Sequence, residues 1–355
     1  MDTSPRRIDV HHHTIPPAYT RAMARRGQTK VAGEPLPDWS PEKSIAVMDT
    51  HGTQTAILSV SAPGVYFGDI QEARDLARAC NEFDAASAQR FPGRFGSFAV
   101  LPMPFADHAC AEAAYALDVL KADGVVLLGS TEGVFLGDPS LDELMAELDG
   151  RKAIVFVHPN IHRTSNEIGL ATPQFLVEFL CDTTRAAVNL ILTGTMERYP
   201  NIRWILAHAG GFLPYIAWRL SLANSIPATA ERAPEGVIAY IRRFYYDTAL
   251  SPSPYAMAAL RELVEPDHIM FGSDLPFAPA IVTGMEVKAL SELTVLDAKA
   301  KAGIDRANAL NLFPKFRLAG ESAGSPPPPA PRVVGWLRRA AMKQVVGLVD
   351  RLRDR

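Results

Sequence analysis

The sequence predicts a (β/α)8 (TIM) barrel: eight short apolar runs recur along 355 residues, helical patterns separate them, and histidines or an aspartate stand where several runs end. The runs are Ile8–His11, Thr55–Val60, Phe95–Val100, Gly124–Leu128, Ala153–His158, Arg203–His208, Arg243–Thr248 and His268–Asp274. Most are continuous in Val, Ile and Leu rather than alternating with polar residues, as expected of strands buried on both faces. Alternation of eight such strands with helices fits a barrel better than a doubly wound sheet.

Taken in order, the first run leads into His11-His12-His13. Side chains on a strand alternate faces, so His11 and His13 share one side and His12 points to the other. Two imidazoles side by side within reach of one ion suit metal binding better than packing. The run sits inside an apolar strand pattern, which argues against a solvated tag. A long connection follows, Thr14–Asp38, with Pro16-Pro17 and Pro35-Leu36-Pro37, and is expected to shape a substrate pocket. Ser40 caps a helix that begins at Pro41. Further helices are expected at Ile70–Arg90, Ala106–Ala122, Asp138–Leu148, Pro173–Thr193, Pro214–Ser221, Pro254–Leu263, Val282–Leu293 and Leu296–Leu310.

The barrel, residues 1–318, should give way to a Gly/Ser/Pro-rich linker over 319–331. The last segment, 332–355, spaces Val333, Val334, Leu337, Ala341, Val345, Leu348 and Leu352 as on one helix face and carries many arginines. A basic amphipathic helix there could dock on the barrel or on a partner subunit, or lie on an anionic membrane surface. Net charge of −3 gives no case for nucleic acid. Three scattered cysteines and the absence of a secretory or membrane-spanning apolar stretch lead to the expectation of a cytoplasmic protein.

Later runs end in Val157-His158-Pro159, Ala207-His208-Ala209-Gly210-Gly211 and Phe271-Gly272-Ser273-Asp274. In a barrel these ends share one rim with His11 and His13, where catalytic groups gather. The order D-x-H-x-H, V-H-P, A-H-A-G-G and G-S-D-x-P-F resembles the amidohydrolase superfamily. Within it, the branch of metal-dependent decarboxylases related to aminocarboxymuconate semialdehyde decarboxylase and 2,6-dihydroxybenzoate decarboxylase is most similar. The stretch from Asp182-Thr183-Thr184-Arg185-Ala186 through Arg198-Tyr199-Pro200 looks most like the 6-methylsalicylate decarboxylase type.

The resemblance implies that His11, His13, His158 and Asp274 hold one divalent ion, with zinc expected and manganese as the alternative. It makes Asp274 the general acid and His208 a proton shuttle or oxyanion partner. Binuclear relatives carry a carboxylated lysine after the fourth strand; here that place reads Leu128-Gly129, so one metal is expected. An arginine at the spacing of Arg219 contacts the substrate carboxylate from the neighbouring subunit in relatives, which implies a homodimer. Asp9 is expected to orient a ligand imidazole, and Asp182 with Arg185 to pair at a helix start. His12, His51, His108, His162 and His268 are assigned no role, and Tyr19, Trp39, Phe67 and Phe277 are candidate pocket walls. The expected activity is non-oxidative decarboxylation of a small aromatic hydroxy-acid. The alternatives are hydrolysis of a lactone, ester or amide, and a non-catalytic metal-binding or membrane-tethered scaffold.

Overall fold

The computed structural model describes residues 6–169 and 171–321. Eight parallel strands follow one another around a barrel: β1 (Arg7–His13), β2 (Thr53–Ser59), β3 (Phe95–Val100), β4 (Gly124–Leu128), β5 (Ile154–His158), β6 (Arg203–Leu206), β7 (Tyr245–Asp247) and β8 (Ile269–Met270). Closure is made by β1 against the chain just beyond β8. The Val10 N–H donates to the Phe271 carbonyl at 3.0 Å and the His13 N–H to the Leu275 carbonyl at 2.6 Å.

Both faces of the strands are buried, and alternate residues serve different cores. Ile57, Phe98, Val126, Phe156, Ile205 and Met270, each from a different strand, join one cluster. Val125, Leu127, Val155, Val157, Trp204 and Leu206 turn the other way and pack with helix residues such as Ala109, Leu144 and Leu190. Inside the barrel the rings of Phe98 and Phe156 stack at 5.4 Å, and His11 stands over Phe156 at 4.9 Å. The apolar filling therefore forms a dry floor beneath the histidines.

The helices that bear on the site are α1 (Pro17–Arg25), α2 (Pro41–His51), α3 (Ile70–Arg90), α4 (Ala106–Asp118), α5 (Asp142–Gly150), α6 (Glu178–Leu192), α7 (Leu213–Ser221), α8 (Pro254–Leu263) and α9 (Ala280–Glu292). Ser40 caps α2 as its sequence predicts, accepting from the Lys43 N–H at 3.3 Å. Two expected helices start later than their patterns suggest, because a 3-10 turn occupies Pro139–Leu141 before α5 and another occupies Gln174–Leu176 before α6. The connection after β1 is more structured than expected: it holds α1, opened by Pro16-Pro17, and a short hairpin of Lys30–Val31 against Glu34–Pro35.

The barrel's anchorage runs past the expected boundary at 318. Glu321 receives hydrogen bonds from Arg306 Nε at 2.7 Å and Nη2 at 2.8 Å. The rest of the expected linker and the expected helix at 332–355 lie outside the described residues. Among the described residues, no helix is long and apolar enough to cross a membrane.

Candidate metal centre

The structure brings His11, His13, His158 and Asp274 together from three places in the barrel. One ligand atom from each lies within 4.8 Å of all the others, and all four side chains are buried. His11 Nε2 is 3.1 Å from His13 Nε2, and Asp274 Oδ1 is 3.0 Å from His13 Nε2 and 3.4 Å from His11 Nε2. The strand parity expected for His11 and His13 holds. His12 points to the opposite side, where it bonds Asp9 at 3.0 Å and Ser44 at 2.9 Å.

The far side of each ligand ring decides its tautomer. His11 Nδ1–H donates to Asp247 Oδ2 at 2.7 Å, His13 Nδ1–H to the Ser59 carbonyl at 3.1 Å, and His158 Nδ1–H to the Pro159 carbonyl at 2.8 Å. With the proton on Nδ1, each ring turns an Nε2 lone pair toward the shared point. The fourth donor, Asp274 Oδ1, is buried and has no hydrogen-bond partner. Four converging lone-pair donors in a dry floor repel one another until positive charge separates them.

The ionisation equilibria give the same account. Burial disfavours charge on His11, yet the carboxylates of Asp247 and Asp274 outweigh it and carry its pKa up to about 10. Burial lowers the pKa of His13, and lowers that of His158 further with the help of its imidazole neighbours. Burial also works against charge on Asp274, but His11 and the other imidazoles around it hold its carboxyl well below the usual range. The cluster thus calls for positive charge at one point. A proton can satisfy one nitrogen only, whereas a cation engages all four donors. A set of three imidazoles and a carboxylate without thiolate fits a borderline divalent ion such as zinc or manganese.

His208 and Asp274 both lie beyond the ends of their strands, at φ of 55° each, a left-handed conformation uncommon outside glycine and often found at working sites. The turn at His208 is held by Asp247, whose Oδ1 accepts the His208 N–H at 2.9 Å while its Oδ2 orients His11. His208 Nε2 faces Asp274 Oδ2 at 3.5 Å, and its Nδ1 is buried without a partner. Gly272 lets the chain pass beneath the cluster, since a Cβ there would stand 2.8 Å from the His11 Cβ.

A chamber of about 400 Å³ opens above the cluster. His208 and Asp274 form part of its lining, and most of the rest is apolar, including Phe179, Leu250, Phe277 and Val282. The ring of Phe277 stands 5.4 Å from that of His13, and Phe179 stands 5.7 Å from His158, both edge-on.

Several expectations change. Asp9 does not touch a ligand imidazole. Its carboxylate takes the His11 N–H, the His12 ring and the Ser273 N–H and hydroxyl, so it fastens β1 to the chain after β8. Orienting His11 falls to Asp247, at the end of the seventh strand, where the rule that strand ends face the site would have found it. Asp182 does not open a helix. It lies within α6, fully buried, and accepts from the Ser130 hydroxyl at 2.6 Å and the Asn160 N–H at 2.8 Å. Burial raises its pKa to about 6. It ties α6 to the segments that follow β4 and β5, the second of them just beyond His158. Of the four candidate walls only Phe277 lines the chamber. Tyr19 is core, Trp39 bonds Ser44, and Phe67 lies under Arg26. Arg219 is exposed on α7 and outside the chamber.

Residues 8–315 match the model of a family described as amidohydrolase. The chain belongs to that family. This amidohydrolase is 37% identical over 329 residues to the decarboxylase yanB of Aspergillus niger, covering 89% of each chain. It is 36% identical over 319 residues to a 6-methylsalicylic acid decarboxylase of Penicillium expansum, covering 88% of this chain and 97% of that one. A solved structure described as an amidohydrolase superposes with a TM-score of 0.81 at 32% identity, over 87% of this chain and 99% of the other.

Proposed function

We propose that this amidohydrolase is a carboxy-lyase that decarboxylates a small aromatic hydroxy-acid, 6-methylsalicylate or a near relative, with one divalent ion, zinc by preference, held by His11, His13, His158 and Asp274. One observation carries the reading: four donors converge at the floor of an apolar chamber flanked by two aromatic rings. Decarboxylase relatives at over a third identity support it.

When bound, the ion would stabilise negative charge on the substrate's carboxylate and ortho oxygen. Phe179 and Phe277 clamp the ring and exclude water, which strengthens every charge interaction at the floor. Asp274 delivers a proton to the ring carbon that bears the carboxylate. The bond to the carboxylate then breaks, its electrons restore aromaticity, and carbon dioxide leaves. The surrounding imidazoles hold the Asp274 carboxyl ionised at rest, so before each turnover it must first take up a proton at Oδ2, the oxygen that faces His208. His208, facing Asp274 Oδ2, is placed to supply it.

We further propose a cytoplasmic homodimer, in keeping with three free cysteines and with the outward face of α7. There Tyr215 and Trp218 are 88% and 75% exposed. A second copy on this face is the route by which Arg219 could reach a substrate. Sedimentation of the intact chain tests the dimer, and a monomer would remove Arg219 from consideration.

The deciding experiment pairs elemental analysis with a panel of salicylate-type acids assayed for bicarbonate release and aryl lactones assayed for acid release. Bicarbonate release by a chain holding about one metal ion per protomer is expected. Turnover of lactones alone would overturn the proposal in favour of hydrolysis. Turnover of nothing, with binding to anionic vesicles, would favour a scaffold.

A further inference from the structure

The chamber is larger than a methylated salicylate needs, and its lining is mostly apolar. An apolar cavity of about 150 Å³ takes up benzene, with six non-hydrogen atoms, so a methylsalicylate with about eleven calls for roughly 275 Å³ in proportion. The chamber offers about 400 Å³. The difference, about 125 Å³, is the space of roughly five carbon atoms on the same scale.

The lining shows where that space lies. His208, Asp274, Phe179 and Phe277 belong to the floor, beside the ligand imidazoles. Leu176 before α6 and Leu250 after β7 stand at its exposed edge, and Val31 of the hairpin and Val282 of α9 add to the apolar lining. Leu176 and Leu250 are 52% and 44% exposed, a largely apolar mouth. Among the described residues no lysine or arginine lines the chamber, and the acid among its lining residues besides Asp274 is Glu34, on the hairpin. A second carboxylate on the ring would therefore meet like charge and no counter-ion.

Resting on the decarboxylase reading, we infer that the chamber selects hydroxy-acids whose ring carries an aliphatic chain of about four to six carbons, over the methyl compound and over dicarboxylates. The chain would lie along Val31, Leu176, Leu250 and Val282 with its end toward the mouth. Burying each added methylene is worth about a three- to fourfold gain in kcat/KM.

The test uses the intact, metal-loaded enzyme and salicylates bearing methyl, propyl, pentyl and heptyl chains. The expected result is a rise of about 10²-fold in kcat/KM from methyl to pentyl, levelling at heptyl. Turnover of the methyl compound with flat or falling values for longer chains would overturn this inference and leave the decarboxylase reading standing. Turnover of none of them would overturn both. A preference for a ring with a second carboxylate, lost in Arg219→Ala, would also overturn it, since the partner subunit would then be supplying the missing cation. Val282→Trp fills the space proposed for the chain and should cut the pentyl-to-methyl ratio of kcat/KM about tenfold or more. A general loss of folding would lower both values without moving their ratio, so the variant's fold is checked by circular dichroism, and an unchanged ratio in a folded variant counts against the inference.

Discussion

At the floor of the chamber, His11, His13 and His158 sit on strands, almost wholly buried, with every Nδ1 committed to an acceptor. The outer wall is drawn instead from a short hairpin and from the stretch before α6, where Leu176 stands more than half exposed. A Cβ added to Gly33 of the hairpin would come within 4 Å of Pro173 of that stretch. The floor needs its donors placed to within about half an ångström of the geometry an ion demands, and rigid strands, with the short turn that carries Asp274, hold side chains that tightly. The wall needs to fit an apolar shape, which irregular segments can vary at small cost to the rest of the fold. On the proposed reading, the three ligand imidazoles are held by the sheet, while the proton-handling residues and the substrate's outer contacts come from the connections.

That contrast can be broken at the floor first. His158→Ala should lose the metal by elemental analysis and lower kcat/KM by about 10³-fold or more; full metal content would remove His158 from the ligand set. His208→Ala should keep its metal and lose about 10²- to 10⁴-fold in kcat. A change confined to KM would show that His208 binds substrate and does not handle the proton. Asp247→Asn keeps the size of the side chain that orients His11, and should weaken metal affinity about 10- to 100-fold. Unchanged affinity would mean that packing alone holds the His11 ring.

The smallest effect is expected where floor and wall meet. Glu286 of α9 is buried, accepts the N–H of Leu250, and leaves its Oε2 without a partner. Burial pushes its pKa from the ordinary 4.5 up to about 9. A carboxyl that stays protonated in the fold while the unfolded chain releases its proton costs stability as pH rises between those two values. The melting temperature should therefore fall from pH 5 toward pH 9, and Glu286→Gln should make that fall shallower. An identical slope in the variant would show that Glu286 is ionised in the fold.

Much of this was legible in the amino-acid sequence because strand periodicity is a local property. Eight apolar runs placed all eight strands, and the histidines and the aspartate at their ends pointed to one rim before any contact was known. A (β/α)8 barrel puts every strand end on the same side, so residues 263 positions apart, His11 and Asp274, could be assigned to one site by counting alone. What tertiary structure alone decided was which polar neighbour each side chain meets. Asp9 has the parity of His11 but turns to Ser273 and His12, while Asp247 reaches the His11 ring from the seventh strand. Likewise Asp182 reads as a helix-start residue and is instead a buried tie to Ser130 and Asn160. Periodicity says which face a residue shares; the partner across the gap depends on register, twist and the turn beyond the strand, and these exist only once the barrel has closed.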